Sequence, residues 1–573
     1  MSDLLHLPMS RAEMIERDWD ELDVLLISGD AYVDHPSFGI ALIGRVLEAA
    51  GYRVGIVAQP DWTEPSSVTT LGRPKLFVGI SSGNVDSMVA HYTAARHKRN
   101  DDAYTENGKL EQRPNRALAV YSQLAKRAFK GIPIVIGGIE ASMRRIAHYD
   151  YWQDKIRPSA LTDCKADILV FGMGERPILE VAKRLSDGTG NLAGIRSTAR
   201  LLGGRESATL DTESSVVLPS FEELTIDRNA LRKTTKIIER EANPNTARRL
   251  IQFHGARALI VEPPSPTIDR IELDRIYSLP FTRLSHPSYS GKIPAWEMIK
   301  DSITVVRGCP GGCSFCSLGM HQGKFLTSRS QESICAEVTS LSKTPKFRGV
   351  VSDLGGPTAN LYGCNNGTND KCEKCERPSC LWPSICKYFK IDGTPGLKLL
   401  RAVRELPKVK RLFVNSGVRM EVLLRTPEYF DELIACHVSG HLKVAPEHLE
   451  ENTLRRMRKC SAKIFHEFRK AFDDKSAKDG KEQYLVPYFI ASFPGCSTKD
   501  MDVVKKFVKD EKWRLRQVQD FIPLPMTPAA AMYWAEVDYD TGDAIYVAKG
   551  TGARKKQRDQ LQPHFKQTRA RRK

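Results

Sequence analysis

Val306-Arg307-Gly308-Cys309-Pro310-Gly311-Gly312-Cys313-Ser314-Phe315-Cys316 sets three cysteines in a C-x3-C-x2-C spacing. The loop directly follows an apolar run, Ile303 to Val306, that reads as a strand. Soft thiolates favour iron–sulfur clusters, zinc or copper, and a cubane normally takes four cysteine ligands. The local group offers three. Gly311 and Gly312 let the backbone fold close, so such a loop can hold three irons of a [4Fe–4S] cube and leave the fourth open to an external ligand. The competing reading is a zinc site that borrows a fourth ligand from elsewhere, because zinc also takes thiolates in tetrahedral sets.

The rest of the chain bounds the answer. At 573 residues it is too long for one core. With 41% hydrophobic and 27% charged residues it has the composition of an ordinary soluble protein. Its longest apolar run, Ile132 to Ile139, falls far short of the ~20 residues that span a bilayer. The N-terminus is too acidic and interrupted for a signal peptide. A cytoplasmic location with no membrane association is expected, and there clustered cysteines indicate metals rather than disulfides. Net charge is +17, but residues 549–573 carry ten Lys or Arg against Asp559 alone, so +9 of it sits in the last 25 residues. That tail, ending Arg569-Ala570-Arg571-Arg572-Lys573, can touch RNA phosphates without specificity. A disordered, solubilising end is the plainer expectation.

Outward from the cysteine loop, strand and helix alternate. Strand-like segments are Ile303 to Val306, Gly349 to Ser352, Leu412 to Asn415, Leu442 to Ala445, Tyr488 to Ala491 and Val518 to Ile522. One intervening helix is marked by Thr394 and Pro395 as N-cap and first position. Six βα units suit a partial (β/α)6 barrel, with the cysteine loop after the first strand, where catalytic loops of barrels belong. Upstream, Val24 to Ser28, Val54 to Val57, Leu76 to Ile80, Ile132 to Ile136 and Ile168 to Val170 alternate with helical patterns. They indicate a parallel sheet in a doubly wound α/β domain, whose ligands lie at strand carboxyl ends. Residues 201–294 read as a connector. Two polar runs in the first domain, residues 96–102 and 140–152, admit either an anion or substrate contact or a solvated face. The expected organisation is a Rossmann-like domain over 1–200, the connector over 201–294, a core over 295–540 and a basic tail over 541–573.

The cysteine loop, with Phe315 before its third cysteine, resembles the signature of the radical S-adenosylmethionine (SAM) enzymes. That resemblance implies an open iron chelating SAM and reductive cleavage to a 5′-deoxyadenosyl radical that abstracts hydrogen. Leu354-Gly355-Gly356-Pro357 resembles the turn that meets the SAM amino group, with Pro357 in place of the acid. Ser416 and Glu447 end the third and fourth strands, where SAM-contacting groups occur, and Phe493-Pro494-Gly495 resembles the turn near the adenine. The first domain resembles the cobalamin-binding type, with Gly137-Gly138 and Phe171 to Glu175 as its strand-end turns. It departs from the cobalt-ligating pattern D-x-H-x-x-G at Asp34-His35-Pro36-Ser37-Phe38-Gly39, which argues against cobalamin.

Longer stretches narrow the family. SDLGGPTAN (352–360), KVAPEHLE (443–450), GKEQYLVPYFIASFPG (480–495), VQDFIPLPMTP (518–528) and GGIEASMRRIAHYDYW (137–152) closely resemble the YgiQ-type radical SAM proteins. The family implies a SAM-binding [4Fe–4S] cluster on Cys309, Cys313 and Cys316, with Phe315, Gly355, Gly356, Ser416 and Glu447 toward SAM. A reducing protein such as flavodoxin or ferredoxin is expected as partner, and the substrate is unnamed. A second group, Cys364, Cys372, Cys375, Cys380 and Cys386, forms a cysteine-rich insert at 364–386. Cys372-x2-Cys375 could grip zinc, or four of the five could hold an auxiliary iron–sulfur cluster. YgiQ-like sequences are most similar at Cys375, Cys380 and Cys386, with an upstream cysteine like Cys364. Two rival functions stay open, a methyl or methylthio transferase acting on RNA or a ribosomal protein, and a zinc-stabilised binding protein without catalysis.

Overall fold

A computed structural model describes residues 5–366, 370–513, 515 and 518–562. The chain divides into two compact units, Met1–Lys300 with Met320–Gly323, and Asp301–Gly319 with Lys324–Lys573. In the first, five parallel strands form where apolar runs alternate with amphipathic helices: β1 (Val24–Ser28), β2 (Val54–Ala58), β3 (Phe77–Ser81), β4 (Ile134–Gly137) and β5 (Ile168–Val170), in the order β2-β1-β3-β4-β5. Strands β1 to β3 are buried through most of their length, as strands covered on both faces must be. The helix Gly39–Ala49 follows β1 and ends just before Gly51, which takes φ 91° and reverses the chain into β2.

The sheet does not stop at residue 200. Strands β6 (Thr198–Leu201), β7 (Val216–Val217), β8 (Leu250–His254) and β9 (Arg257–Val261) extend it to nine, in the order β5-β6-β9-β8-β7. Thus part of the segment read as a connector belongs to the sheet. It adds antiparallel pairs β5–β6, β6–β9 and β9–β8, built around the tight reversal at Gly255, φ 57°. The two polar runs differ: Arg96 to Asp101 is exposed to solvent with Asp102 buried beyond it, whereas Glu140 to Tyr151 is buried throughout. Arg113 is buried between Asp30, after β1, and Asp102, each at 2.8 Å. Arg144 is buried against Asp86 at 2.7 Å and Asp150 at 3.3 Å, with His148 Nε2 3.1 Å away. Charges this deep stand only when paired.

In the second unit, six strands run in chain order. They are β10 (Ser302–Thr304), β11 (Val350–Val351) with its continuation β12 (Asp353–Gly355), β13 (Arg411–Leu412), β14 (His441–Glu447), β15 (Tyr484–Ala491) and β16 (Gln519–Asp520). Parallel pairing joins β10 to β12, β11 to β13, β14 to β15 and β15 to β16. A single parallel bridge, Val418 to Val444, links the third strand's continuation to the fourth. Helices Gln331–Ser342, Thr394–Arg404, Ala462–Lys478 and Thr498–Asp510 fall between strands. This is the partial (β/α)6 arrangement, open because β10 and β16 do not pair among the described residues. The Thr394 helix begins one residue early, with Gly393 as its N-cap and Pro395 in its first turn.

Part of the basic tail is structure. Helix Thr551–Leu561 buries Arg554 and Gln557. Gln557 accepts from Ser492 N and donates to Cys496 O, both at 2.8 Å, tying the turn after β15 in place. The terminal run Arg569 to Lys573 lies outside the described residues.

Two outcomes test this packing. Gln557→Ala leaves two buried backbone groups unpaired and should cost roughly 2 kcal/mol, seen as a lower denaturant midpoint. Burial holds the imidazoles of His35 and His148 in the first unit, and His437 and His448 in the second, below the ordinary value, His148 at about 3 and His448 at about 4. The unfolded chain therefore binds more protons as pH falls through 6.5, so stability falls with it. His148 and His448 should each cost about 0.8 kcal/mol by pH 6 relative to pH 7.5, and His35 and His437 act in the same direction. Thermal scans across that window should show Tm dropping by several degrees, and a flat profile would contradict the burial.

Candidate active site

The loop after β10 is gripped from every side. Ser314 is 1% exposed; its N donates to Met457 O at 3.1 Å, its Oγ to Arg456 O at 2.7 Å, and its O accepts from Ala529 N at 2.9 Å. Cys316 N closes a turn onto Cys313 O at 3.1 Å. Its glycines are required by contact. Gly308 has φ 89°, and a Cβ there would stand 1.9 Å from Phe325 O. A Cβ at Gly311 would stand 1.7 Å from Arg419 Nη2, and one at Gly312, φ 59°, 2.6 Å from Pro378 O. The cysteine-rich insert supplies that last contact. Ser379, fully buried, donates to Gly311 O at 2.8 Å, and Cys380 N donates to Pro310 O at 2.9 Å.

Beneath the thiols lies a charged group that sequence reading did not single out. Arg419, from the loop after β13, points Nη1 at Cys313 Sγ, 3.7 Å away. Its backbone is held by a reciprocal amide bridge to Asn360, 2.8 and 2.9 Å. Arg419 Nη2 is buried with no hydrogen-bond partner among the described residues. Lys459 sits 4.0 Å from Glu447, and burial pushes the Glu447 carboxyl up against the pull of Lys459 and Arg419. Glu447 takes φ 67°, an unusual backbone for a glutamate, at a register shift between β14 and β15. Ser416 Oγ donates to Asp353, whose Oδ1 also receives Asn415 N at 2.8 Å and Ser416 N at 3.0 Å. Gly355 and Gly356 lie where no side chain fits, since Cβ atoms there would meet Ser416 Oγ at 2.2 Å and Val306 O at 2.6 Å. Phe315 packs edge-on against Phe493, ring centres 6.3 Å apart, and Phe493 likewise against Phe521.

Residues 6–302 match the family model described as Radical SAM N-terminal. A UPF0313 protein of Geobacter sulfurreducens is 47% identical over 98% of this chain and 92% of its own. The UPF0313 protein YgiQ of Escherichia coli is 41% identical over 97% of this chain and 84% of its own. The chain belongs to the YgiQ-containing UPF0313 family. It is a radical SAM enzyme. Among solved structures, the radical SAM methyltransferase TsrM from Kitasatospora setae aligns over 88% of this chain and 74% of its own at 15% identity and TM-score 0.49. Among the described residues no helix is long and apolar enough to cross a membrane.

In this family member the sequence-predicted residues fall into two groups. Cys309, Cys313, Cys316 and Glu447 are near enough to feel one another's charge. Gly355, Gly356 and Ser416 line the neighbouring strand ends, joined to the loop through Val306. In the insert, Cys375, Cys380 and Cys386 form a second such group, while Cys364 is buried with its thiol 3.9 Å from Asn360 O. Arg419, Lys459, Asn360 and Ser379 are the residues that sequence reading passed over. The available signal was position: Arg419 is a cation a few residues past the third core strand, and Ser379 precedes a cysteine inside a polar loop.

Substituting Gly308 tests the loop. Gly308→Ala forces a left-handed backbone, roughly 1–2 kcal/mol by itself, onto a carbonyl at 1.9 Å. After anaerobic reconstitution, 5′-deoxyadenosine formed from SAM should fall several-fold, whereas Gly417→Ala, with nothing within 4 Å of its Cβ position, should retain it.

Proposed function

We propose that Cys309, Cys313 and Cys316 hold a [4Fe–4S] cluster whose open site binds SAM, and that the enzyme abstracts hydrogen from its substrate. The observation that carries this reading is three half-buried thiols in one turn, backed by a guanidinium nitrogen, Arg419 Nη2, with no hydrogen-bond partner among the described residues. When bound, the cluster and SAM supply a 5′-deoxyadenosyl radical by one-electron reductive cleavage of the sulfonium C–S bond, the electron coming from a reducing protein such as flavodoxin or ferredoxin.

The chain's own residues supply the setting. Burial pushes the Cys316 thiol up to about 12 and raises Cys309 as well, so iron must displace protons on loading. Arg419 and Lys459 then offset the negative charge of the thiolates, and Arg419 donates toward Cys313 Sγ. Glu447, Ser416 and the bare backbone at Gly355 and Gly356 would orient the amino acid and ribose ends of SAM, with Phe315 and Phe493 closing the apolar side.

The test is anaerobic reconstitution with iron and sulfide, then dithionite and SAM, with 5′-deoxyadenosine measured by chromatography. Wild type should form the nucleoside, and Cys313→Ala should fall to background. A wild-type protein that holds its cluster yet forms no nucleoside would overturn the reading, and a protein that carries zinc and no iron would favour the non-catalytic one.

A further inference from the structure

Five of the thirteen cysteines lie between residues 364 and 386, in a segment with almost no regular structure. Its described part contains one helix, Asp370–Glu373, and a bridge from Asn365 to Lys390. Its apolar anchors are few: Cys364, Leu381 and Phe389 pack with Leu361 and Val422, joined by Cys380, Ile385 and Cys386. A loop so short of core and ladder needs another source of order.

The thiols supply one. Cys380 lies within electrostatic reach of both Cys375 and Cys386, and Cys386 N donates to Cys380 O at 2.8 Å. Their surroundings suit thiolates. Asn366 Nδ2 donates to Cys380 Sγ at 3.5 Å. Lys324 Nζ sits on Cys375 O and Arg377 O, both at 3.0 Å, and Arg377 Nη2 caps Trp382 O and Ser384 O at 3.0 Å. N–H donors and fixed cations around sulfur are what cluster ligands receive from a protein.

We propose that the insert holds a second iron–sulfur cluster on Cys375, Cys380 and Cys386. A fourth thiol comes from Cys364, which packs with Cys380 and Cys386, or from Cys372, whose carbonyl accepts from Cys375 N at 3.2 Å. The site is strapped to the first cysteine loop through Ser379 Oγ on Gly311 O and Cys380 N on Pro310 O, so occupancy of the insert also orders that loop.

The full-length chain carrying Cys309→Ala, Cys313→Ala and Cys316→Ala together isolates the insert. Purified and reconstituted anaerobically with ferrous iron and sulfide, it should retain iron and acid-labile sulfide, with sulfide-to-iron charge-transfer absorption in the visible. Adding Cys375→Ser, Cys380→Ser and Cys386→Ser should abolish that iron and absorption, and single Cys364→Ser and Cys372→Ser changes should identify the fourth ligand by which one lowers iron content. Far-UV circular dichroism matching wild type establishes that each variant is folded. A folded loop variant that holds no iron, or only zinc, overturns the proposal. The outcome is independent of SAM cleavage, because the thiols assigned to that chemistry are absent from the variant.

Discussion

Three half-buried thiols in one tight turn leave no room for side chains at the glycines between the backbone and what encloses it. That steric constraint organises the second unit. Phe325 O, Arg419, Pro378 and Val306 O each approach a glycine at a distance no Cβ would permit. The approach brings the strand ends, the insert and the Arg419 loop against a single turn. Ser314 is then held by three further hydrogen bonds, from the end of helix Glu451–Met457 and the start of helix Pro528–Ala535. Each of these three bonds ends on a main-chain group of a neighbouring helix, which keeps its geometry when side chains reorient.

The first unit meets a different demand. A parallel sheet buried on both faces carries its polar residues at strand ends, and here several of those are charged. Asp30, Asp34, Asp86 and Glu140 all follow strands β1, β3 or β4 closely. Arg113, Arg45 and Arg144 neutralise the three aspartates, while Glu140 receives Ser87 N and Oγ at 2.8 and 2.7 Å. Removing one member of such a pair strands a buried charge, at roughly 3–5 kcal/mol. Arg145 is the exception, buried over the Phe171 ring at 4.5 Å with its pKa lowered by burial to about 9.

Much of this was legible in the linear chain. Apolar runs of four or five residues located nearly every parallel strand, because burial on both faces writes itself as continuous hydrophobicity. The cysteine spacing announced soft-metal chemistry, since three thiols within eight residues have few other uses in a reducing setting. The antiparallel pairing across 198–261 was hidden, although Ala258 to Val261 reads as an apolar strand. Its strands are interrupted by polar turns and by helices such as Arg228–Arg240, and pairing across that distance leaves no local mark. Helix Thr551–Leu561 was hidden for the opposite reason: its composition is that of a solvated tail, and only Gln557 and Arg554 reveal a buried face.

By itself the sequence determined the two α/β architectures through its apolar runs, the candidate thiols through their spacing, and the type of chemistry through its resemblance to a known family. Tertiary structure alone decided what surrounds them. Arg419, 103 residues beyond Cys316, and Ser379, 63 beyond it, become neighbours of the same turn only when strand ends converge. Contacts of that separation depend on how the chain closes in space, and no pattern of adjacent residues encodes them.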